Sequence, residues 1–162
     1  MYDTIVTLSL FIAALGAGLM AGVYFAFSGF VMRSFDQLQA ARAADAMNAI
    51  NAVILRSWFM PLFFASTLLY AALVAVALFD SSLSGRWLII AAGLIYVIGM
   101  FLCTAARNVP LNNRLAATAG EPHASAATWA HYRLHWTRWN HLRSVCSLAA
   151  MGLSVYYLAR FA

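Results

Sequence analysis

Four long uncharged runs limit what this chain can fold into more than any other feature. They cover Thr4–Met32, Ser57–Phe79, Trp87–Ala106 and Ser144–Ala159. A helix needs about 20 apolar residues to cross a hydrocarbon core of about 30 Å, so the first three runs are long enough alone. The fourth is about four residues short, and residues 140–143 are placed to complete it. The runs therefore predict transmembrane helices at about 4–32, 57–79, 87–106 and 141–160.

The composition indicates a lipid environment rather than a soluble core. Of the 162 residues, 64% are hydrophobic and 9% are charged, whereas soluble domains carry about 25% charged residues. The net charge of +5 comes from Arg alone, since the chain has no Lys, and the Arg residues lie at the ends of the apolar runs. We therefore expect a single membrane domain over residues 1–162, with the lipid bilayer and not nucleic acid as a partner. The N-terminus lacks a basic n-region, so we expect the first helix to be retained.

The connections between the runs differ in charge. Residues 33–56 and 107–143 hold all of the Arg residues except Arg86 and Arg160. The positive-inside rule then predicts that both long connections are cytoplasmic and both termini are outside, in a plasma (inner) membrane of the bacterial type. The simplest fold is all-α: an up-down-up-down bundle of four membrane helices, with short amphipathic helices in the first and third connections.

Glycine and proline predict where the helices end. Gly85 lies in a short turn between the second and third spans. Pro110 is expected to end the third helix just after the membrane, because proline disrupts a helix interior. A Gly-Glu-Pro break at 120–122 is expected to precede a helix that starts near Ser125 and runs into the fourth span.

A stripe of small residues runs along the first span, at Ala14, Gly18, Gly22 and Ala26. Small residues spaced by four allow membrane helices to approach closely. Packing within the bundle is the ordinary interpretation. A cavity wall and a homo-oligomer contact through the Gly18 and Gly22 face are the alternatives.

The stretch HWTRWNHLR, residues 135–143, gathers polar and aromatic side chains at the short fourth span. Helical spacing places Trp129, Tyr132, Trp136, Asn140 and Arg143 on one broad face, with Trp139 at its edge. It places His131, His135 and Arg138 on another face, with His141 beside it. An interfacial aromatic belt explains the Trp and Tyr residues, but not the amide and the two Arg residues. Ionisable groups at this depth suggest a functional site.

The polar residues of this stretch predict a base and anion-stabilising donors. His141 is the candidate general base, because an imidazole exchanges protons near neutral pH. Arg138 and Asn140 are placed to stabilise the resulting anion. The stretch NVPLNNRL, residues 108–115, brings Asn108 and Asn112 to the same end of the bundle. Capping and turn formation also explain these Asn residues; the functional interpretation is a polar pocket at the mouth of an apolar cavity.

Metal binding is the weaker interpretation of the histidines. His131 and His135 are four residues apart, a spacing that suits two metal ligands on one helix. The only acid nearby is Glu121, so a solvated helix face is the simpler interpretation. The first three spans contain no His, which argues against a bis-His haem between spans and leaves a single axial ligand open.

Three motifs together resemble the DUF1772, or anthrone oxygenase-like, family of membrane proteins. They are GVYFAFSGFVM (22–32), NVPLNNRL (108–115) and WAHYRLHWTRWNHLRSV (129–145). The resemblance implies a four-helix integral membrane protein. The family includes members that oxidise anthrones with O2 without a metal or flavin. The residues that match the family's motifs are Asn108, Pro110, Leu111, Asn112, Trp129, Tyr132, Trp136, Arg138, Trp139, Asn140, His141 and Arg143. His131 and His135 are not part of that pattern.

The polar and aromatic stretch at 135–143, together with the family resemblance, predicts a membrane oxygenase for a lipophilic anthrone- or phenol-like molecule. Base-assisted carbanion formation would precede reaction with O2, with no redox cofactor. His141 would be the base, and Arg138 and Asn140 the donors. The predicted substrate-binding residues are Trp136, Trp139, Tyr132, Trp129, Arg143, Asn108 and Asn112. Two other classes stay open: a non-enzymatic membrane protein in transport or subunit docking, and a metal- or haem-binding protein that uses the histidines between 131 and 141.

Overall fold

The fold consists of five helices in the part of the chain that the structure describes. This computed structural model describes the backbone of residues 2–118 and 122–161, and the side chains of residues 4–118 and 127–161. The helices are α1 (Thr4–Phe35), α2 (Ala40–Ile54), α3 (Phe59–Phe79), α4 (Arg86–Ala117) and α5 (Pro122–Phe161). All except α2 are long and apolar enough to span a membrane. The predicted all-α bundle of four membrane helices is therefore confirmed.

The four membrane helices surround one apolar core. α1 packs against α3 and α5, and α4 packs against the same two helices. The fully buried side chains between them include Leu10, Met20, Tyr70, Ile89 and Met100. Large apolar residues such as Leu19, Leu68 and Leu148 are exposed on the outside of the bundle. This arrangement suits lipid as the surrounding solvent, because an apolar exterior has no cost there.

α2 closes one end of the bundle. It packs against α5 and against the last part of α4, and it buries Ala43, Ala44 and Met47 while its opposite face is exposed. The amphipathic helix predicted in the first connection is thus present. We call this end of the molecule, where α2 meets α4 and α5, the α2 end.

The long helices α1 and α4 contain π-helical turns. These cover Phe27–Val31 in α1, and Val97–Leu102 and Thr104–Asn108 in α4. Such turns are rare and occur frequently at functional sites. The prediction that Pro110 ends the third helix is wrong. The π-helical turn ends at Asn108 and a new α-helical segment begins at Val109, so Pro110 occupies a first-turn position, where a missing N–H costs little.

The third connection contains no separate helix within its described residues. The last turns of α4 and the first turns of α5 supply its helical part instead. α5 begins at Pro122, three residues before the predicted start, and continues for 40 residues through the fourth span. The upstream helix and the short fourth span therefore form one continuous helix, as predicted. Gly120 and Glu121 of the predicted break lie outside the described residues.

Two glycines have the structural roles that the sequence suggests. Gly85 adopts a left-handed conformation, with φ of 68°, in the turn before α4. A Cβ added to Gly18 would lie 2.8 Å from the Met151 sulfur, so Gly18 allows α1 and α5 to approach closely. A Cβ added to Gly22 would meet no atom within 4 Å. Bundle packing thus uses Gly18 but not Gly22, and a homo-oligomer through this face stays a prediction.

Candidate functional site

A cavity of about 260 Å³ lies at the α2 end, and all five helices contribute to its wall. Most of the wall is apolar, from residues Val23, Phe27, Met47, Ile50, Ile54, Leu55, Phe59, Met60, Phe63, Phe64, Phe101, Ala105 and Val109. The remaining lining residues carry polar groups: Tyr24, Asn51, Thr104, Asn108, Asn112, Trp136 and Arg143. A cavity of about 150 Å³ is large enough to bind benzene. This one therefore has room for a larger flat ring system.

Arg143 is the charged residue in this wall, and it is only 5% exposed. Its Nη2 donates to Asn140 Oδ1 at 2.7 Å, and its Nη1 donates to Thr104 Oγ1 at 3.3 Å. The guanidinium lies 4.3 Å from the centre of the Tyr24 ring and 5.1 Å from that of Trp136. These contacts orient the charge but do not neutralise it.

No carboxylate pairs with Arg143 among the described residues. An ion pair elsewhere in the molecule joins Arg133 to Asp36, at 2.7 Å. A buried charge without an opposite charge is costly, and such groups are normally paired. An uncompensated guanidinium beside an apolar cavity is therefore suited to bind an anion within it.

Asn140 holds the guanidinium of Arg143 in position. Its side chain is fully buried. While its Oδ1 accepts from Arg143, its Nδ2 donates to the Tyr24 carbonyl oxygen and to Ser28 Oγ, both at 2.6 Å. Ser28 lies within the π-helical turn of α1. Asn140 thus links the irregular part of α1 to the arginine on α5.

Asn108 adds a further acceptor to the network. It is 1% exposed. With its amide oxygen facing the two neighbouring donors, it accepts from Trp136 Nε1 and from Arg143 Nη2, each at 3.3 Å. Its neighbour one turn along α4, Asn112, accepts from the Tyr132 hydroxyl at 2.9 Å. On α2, the amide nitrogen of Asn51 is buried without a hydrogen-bond partner within the described part of the chain.

Stacked aromatic rings support the same wall. The rings of Trp129 and Tyr132 stack with centroids 5.7 Å apart, and those of Tyr132 and Trp136 stack at 6.0 Å. Phe27 of α1 lies 5.7 Å from Trp136. The broad face of α5 predicted from the sequence is therefore the buried face: all of its residues, Trp129, Tyr132, Trp136, Asn140 and Arg143, are 6% exposed or less.

The three predicted catalytic residues do not lie together: Asn140 is on the buried face, whereas His141 and Arg138 are on the other face of α5 that the sequence predicted for them. Both side chains are exposed, and they line a separate surface cleft with Ser28, Met32, Arg33, Asp36, Arg133, Leu134 and Thr137. Consecutive residues on an α-helix point about 100° apart, so His141 turns away from the cavity although it follows Asn140. The predicted role of His141 as a base is not tested by this placement, but it would have to act from outside the cavity.

Four other predicted residues also do not line the cavity: Asn140, Tyr132, Trp139 and Trp129. Trp139 lies on the outer surface of the α2 end, where the guanidinium of Arg107 covers its ring, 4.9 Å from the ring centre. Trp129, which forms one end of the aromatic stack, is buried but does not line the cavity. The sequence interpretation missed Tyr24, Thr104 and Asn51 as lining residues.

The weak metal candidates lie on the outer surface. The rings of His131 and His135 stack with centroids 4.0 Å apart, and His135 Nδ1 lies 2.9 Å from the His131 carbonyl oxygen. Among the described residues, no group of three or more His, Cys, Asp or Glu side chains is placed to hold a metal ion. The side chains of His123 and Glu121 are outside that set.

Comparison with known proteins identifies a family. The family model described as Anthrone oxygenase matches residues 51–153, which is more than half of the chain. The matched range contains Thr104, Asn108, Asn140 and Arg143. Neither the curated proteins nor the solved structures gave a match. This four-span membrane protein therefore belongs to the anthrone oxygenase (DUF1772) family.

Proposed function

We propose that the chain is a membrane oxygenase that oxidises a lipophilic anthrone- or phenol-like molecule with O2 inside the cavity. One observation carries the proposal: Arg143 is buried in the wall of an apolar cavity with no carboxylate partner among the described residues. Family membership supports the same class of activity.

The guanidinium would stabilise the substrate anion. Removal of a proton from the CH2 of an anthrone gives an anion whose charge is delocalised onto the ketone oxygen. A fixed cation stabilises such an oxyanion most where water is excluded. Asn140, Thr104 and Asn108 would hold the guanidinium in place, so little reorganisation would accompany the charge change. Phe27 and Trp136 supply flat surfaces beside it.

The reaction balances without an added reductant. The anion gives one electron to O2, and the carbon radical and superoxide then combine to form a C–O bond. After protonation, the hydroperoxide loses its remaining C–H proton and a hydroxide ion as the O–O bond breaks. The CH2 becomes a C=O, and the second oxygen atom leaves as water. All four electrons come from the substrate, so the proposal includes no redox cofactor.

The first proton would leave to solvent in this scheme. The described residues that line the cavity include no His, Asp, Glu or Lys. Arg143 would make the CH2 more acidic because its charge stabilises the oxyanion that remains, and it need not accept a proton itself. A base at His141 stays a separate prediction, since its side chain lies in the surface cleft.

The proposed route of entry is from the lipid. Three large apolar lining residues have substantial exposed fractions: Leu55 at 65%, Phe64 at 46% and Val109 at 43%. All three are apolar, so they favour a substrate dissolved in the bilayer. A lipophilic aromatic molecule would enter sideways without crossing the aqueous phase.

A matched pair of substrates tests the proposal. Anthrone and 9,10-dihydroanthracene have almost the same shape and both contain a reactive CH2, but only anthrone forms a stabilised oxyanion. The purified protein in nanodiscs should consume O2 and form anthraquinone from anthrone, and should leave dihydroanthracene unchanged. Equal oxidation of both, or no protein-dependent oxidation of anthrones and acidic phenols, would overturn the proposal.

Metal removal tests the cofactor-free part. We expect turnover to survive dialysis against a strong chelator, in a preparation without visible absorption bands. Activity that disappears on chelation and returns with one metal ion would contradict it.

A further inference from the structure

A second site lies on the opposite side of α5 from the cavity. It is the surface cleft between α1 and α5 that contains Arg33, Arg133, Arg138 and His141. The cavity and the cleft share a wall, since Ser28 lines the cleft and accepts a hydrogen bond from Asn140 of the arginine network. None of the activity proposed above uses the cleft.

The cleft has an excess of positive charge. Its acid among the described residues, Asp36, is paired with Arg133 at 2.7 Å. Arg33 of α1 and Arg138 of α5 are exposed and have no carboxylate partner among the described residues. Arg forms paired hydrogen bonds with phosphate oxygens. The two arginines, on different helices, are therefore suited to hold one phosphate between them.

The cleft also offers uncharged donors. Thr137 Oγ1 is buried and has no hydrogen-bond partner in the described part of the chain. His141 lies beside it, on the next turn of α5. A buried hydroxyl without a partner is costly, and a bound phosphate oxygen would supply the missing acceptor.

Apolar surface adjoins the charged cleft on both helices. On α1, Phe25 is exposed one turn before Ser28, and Gly22, one turn before Phe25, faces open space. On α5, Leu142 and Val145 are exposed one turn beyond Arg138 and His141. The cleft thus combines cations with exposed apolar side chains on the adjoining turns, as an amphipathic ligand requires. A soluble phosphate compound would not need this apolar surface.

We propose that this cleft binds the headgroup of an anionic phospholipid. Arg33 and Arg138 hold the phosphate, Thr137 and His141 donate to it, and the acyl chains lie along the exposed apolar faces of α1 and α5. The proposal is independent of the oxygenase activity, because it concerns the other face of the shared wall.

Lipid retention measures the site directly. The full-length protein is reconstituted in nanodiscs of equal parts phosphatidylglycerol and phosphatidylcholine, extracted in mild detergent and examined by native mass spectrometry. We expect at least one phosphatidylglycerol to be retained, with a preference over phosphatidylcholine of about fivefold or more. The double substitution Arg33→Gln and Arg138→Gln should abolish this preference. Arg56→Gln, an exposed arginine that does not line the cleft, is the matched control and should keep it.

Two outcomes would overturn the proposal. One is an unchanged preference in the double variant, whose exposed substitutions leave the buried core intact. The other is a rise in thermal stability with inorganic phosphate alone that equals the rise with phosphatidylglycerol, because the cleft would then be a free-anion site. A rise with phosphatidylglycerol only, lost in the double variant, supports the lipid assignment.

Discussion

Two arginines of α5, five residues apart, face opposite environments. Arg143 is buried against the cavity and is held by an amide, a hydroxyl and two aromatic rings. Arg138 is exposed in the cleft beside His141. Their side chains are chemically the same, but only one is removed from solvent with a fixed geometry. The helix face on which each arginine lies therefore separates the proposed catalytic role from a surface role. Closeness of the two residues in sequence does not.

The largest expected effect is at the buried arginine. Arg143→Met should lower anthrone turnover by about 100-fold or more, as loss of one oxyanion donor does in other enzymes. Arg138→Met should lower it by about threefold or less. O2 uptake and anthraquinone formation measure both. Equal losses of turnover in the two variants would show that the buried and exposed faces of α5 do not differ in their importance for the reaction.

Thermal unfolding of the same variant separates function from structure. An unpaired buried charge is costly, so its replacement by an apolar side chain of similar size removes that cost and offsets the lost hydrogen bonds to Asn140 and Thr104. We therefore expect Arg143→Met to unfold at the same temperature as the unsubstituted protein or higher, although its turnover is lost. A large drop in unfolding temperature would instead indicate that Arg143 mainly stabilises the fold.

The next effect is expected at the residue that holds Arg143. Asn140→Ala removes an acceptor from the guanidinium and two hydrogen bonds to α1. Turnover should fall by about tenfold because the guanidinium loses its fixed position. The free energy of unfolding should fall by about 1–3 kcal/mol, since buried partners lose their hydrogen bonds. Turnover that stays unchanged would show that the anion site does not depend on this link.

A pair of threonines gives a smaller, matched test. Thr104→Val removes the acceptor of Arg143 Nη1 and should lower turnover by about two- to fivefold, which corresponds to one modest hydrogen bond. Thr137→Val makes the same change in the cleft and should affect lipid retention more than turnover. The reverse pattern would place the reaction on the other face of α5.

The smallest effect is expected at the residue that the sequence favoured most. His141→Ala should lower turnover by about twofold or less, because the exposed imidazole does not reach the cavity. The pH–rate profile should keep its shape. A loss of tenfold or more, with a changed pH profile, would restore His141 as the base and would require a different substrate position.

The spans, the short fourth run and the helix faces of α5 can all be predicted from the amino-acid sequence. Apolar length depends only on the thickness of the hydrocarbon core, and residues on one helix face follow from the 3.6-residue repeat. Residues 129–143 therefore divided correctly into a broad aromatic face and a histidine-arginine face before any tertiary contact was known. The sequence also marked Asn108, Asn112 and Asn140, since amides are costly within a membrane unless they have partners.

Only the tertiary structure decided which face is buried and what surrounds it. Three of the contacts of Arg143 come from α1 and α4, at Tyr24, Thr104 and Asn108, which are distant in sequence and carry no local signal for such an arrangement. The π-helical turns that contain Ser28 and Thr104 also lack a recognisable pattern, and Pro110 lies in the first turn of the α-helical segment that follows one of them. Burial depends on the packing of whole helices against one another, so the motif alone could not separate Arg143 from Arg138.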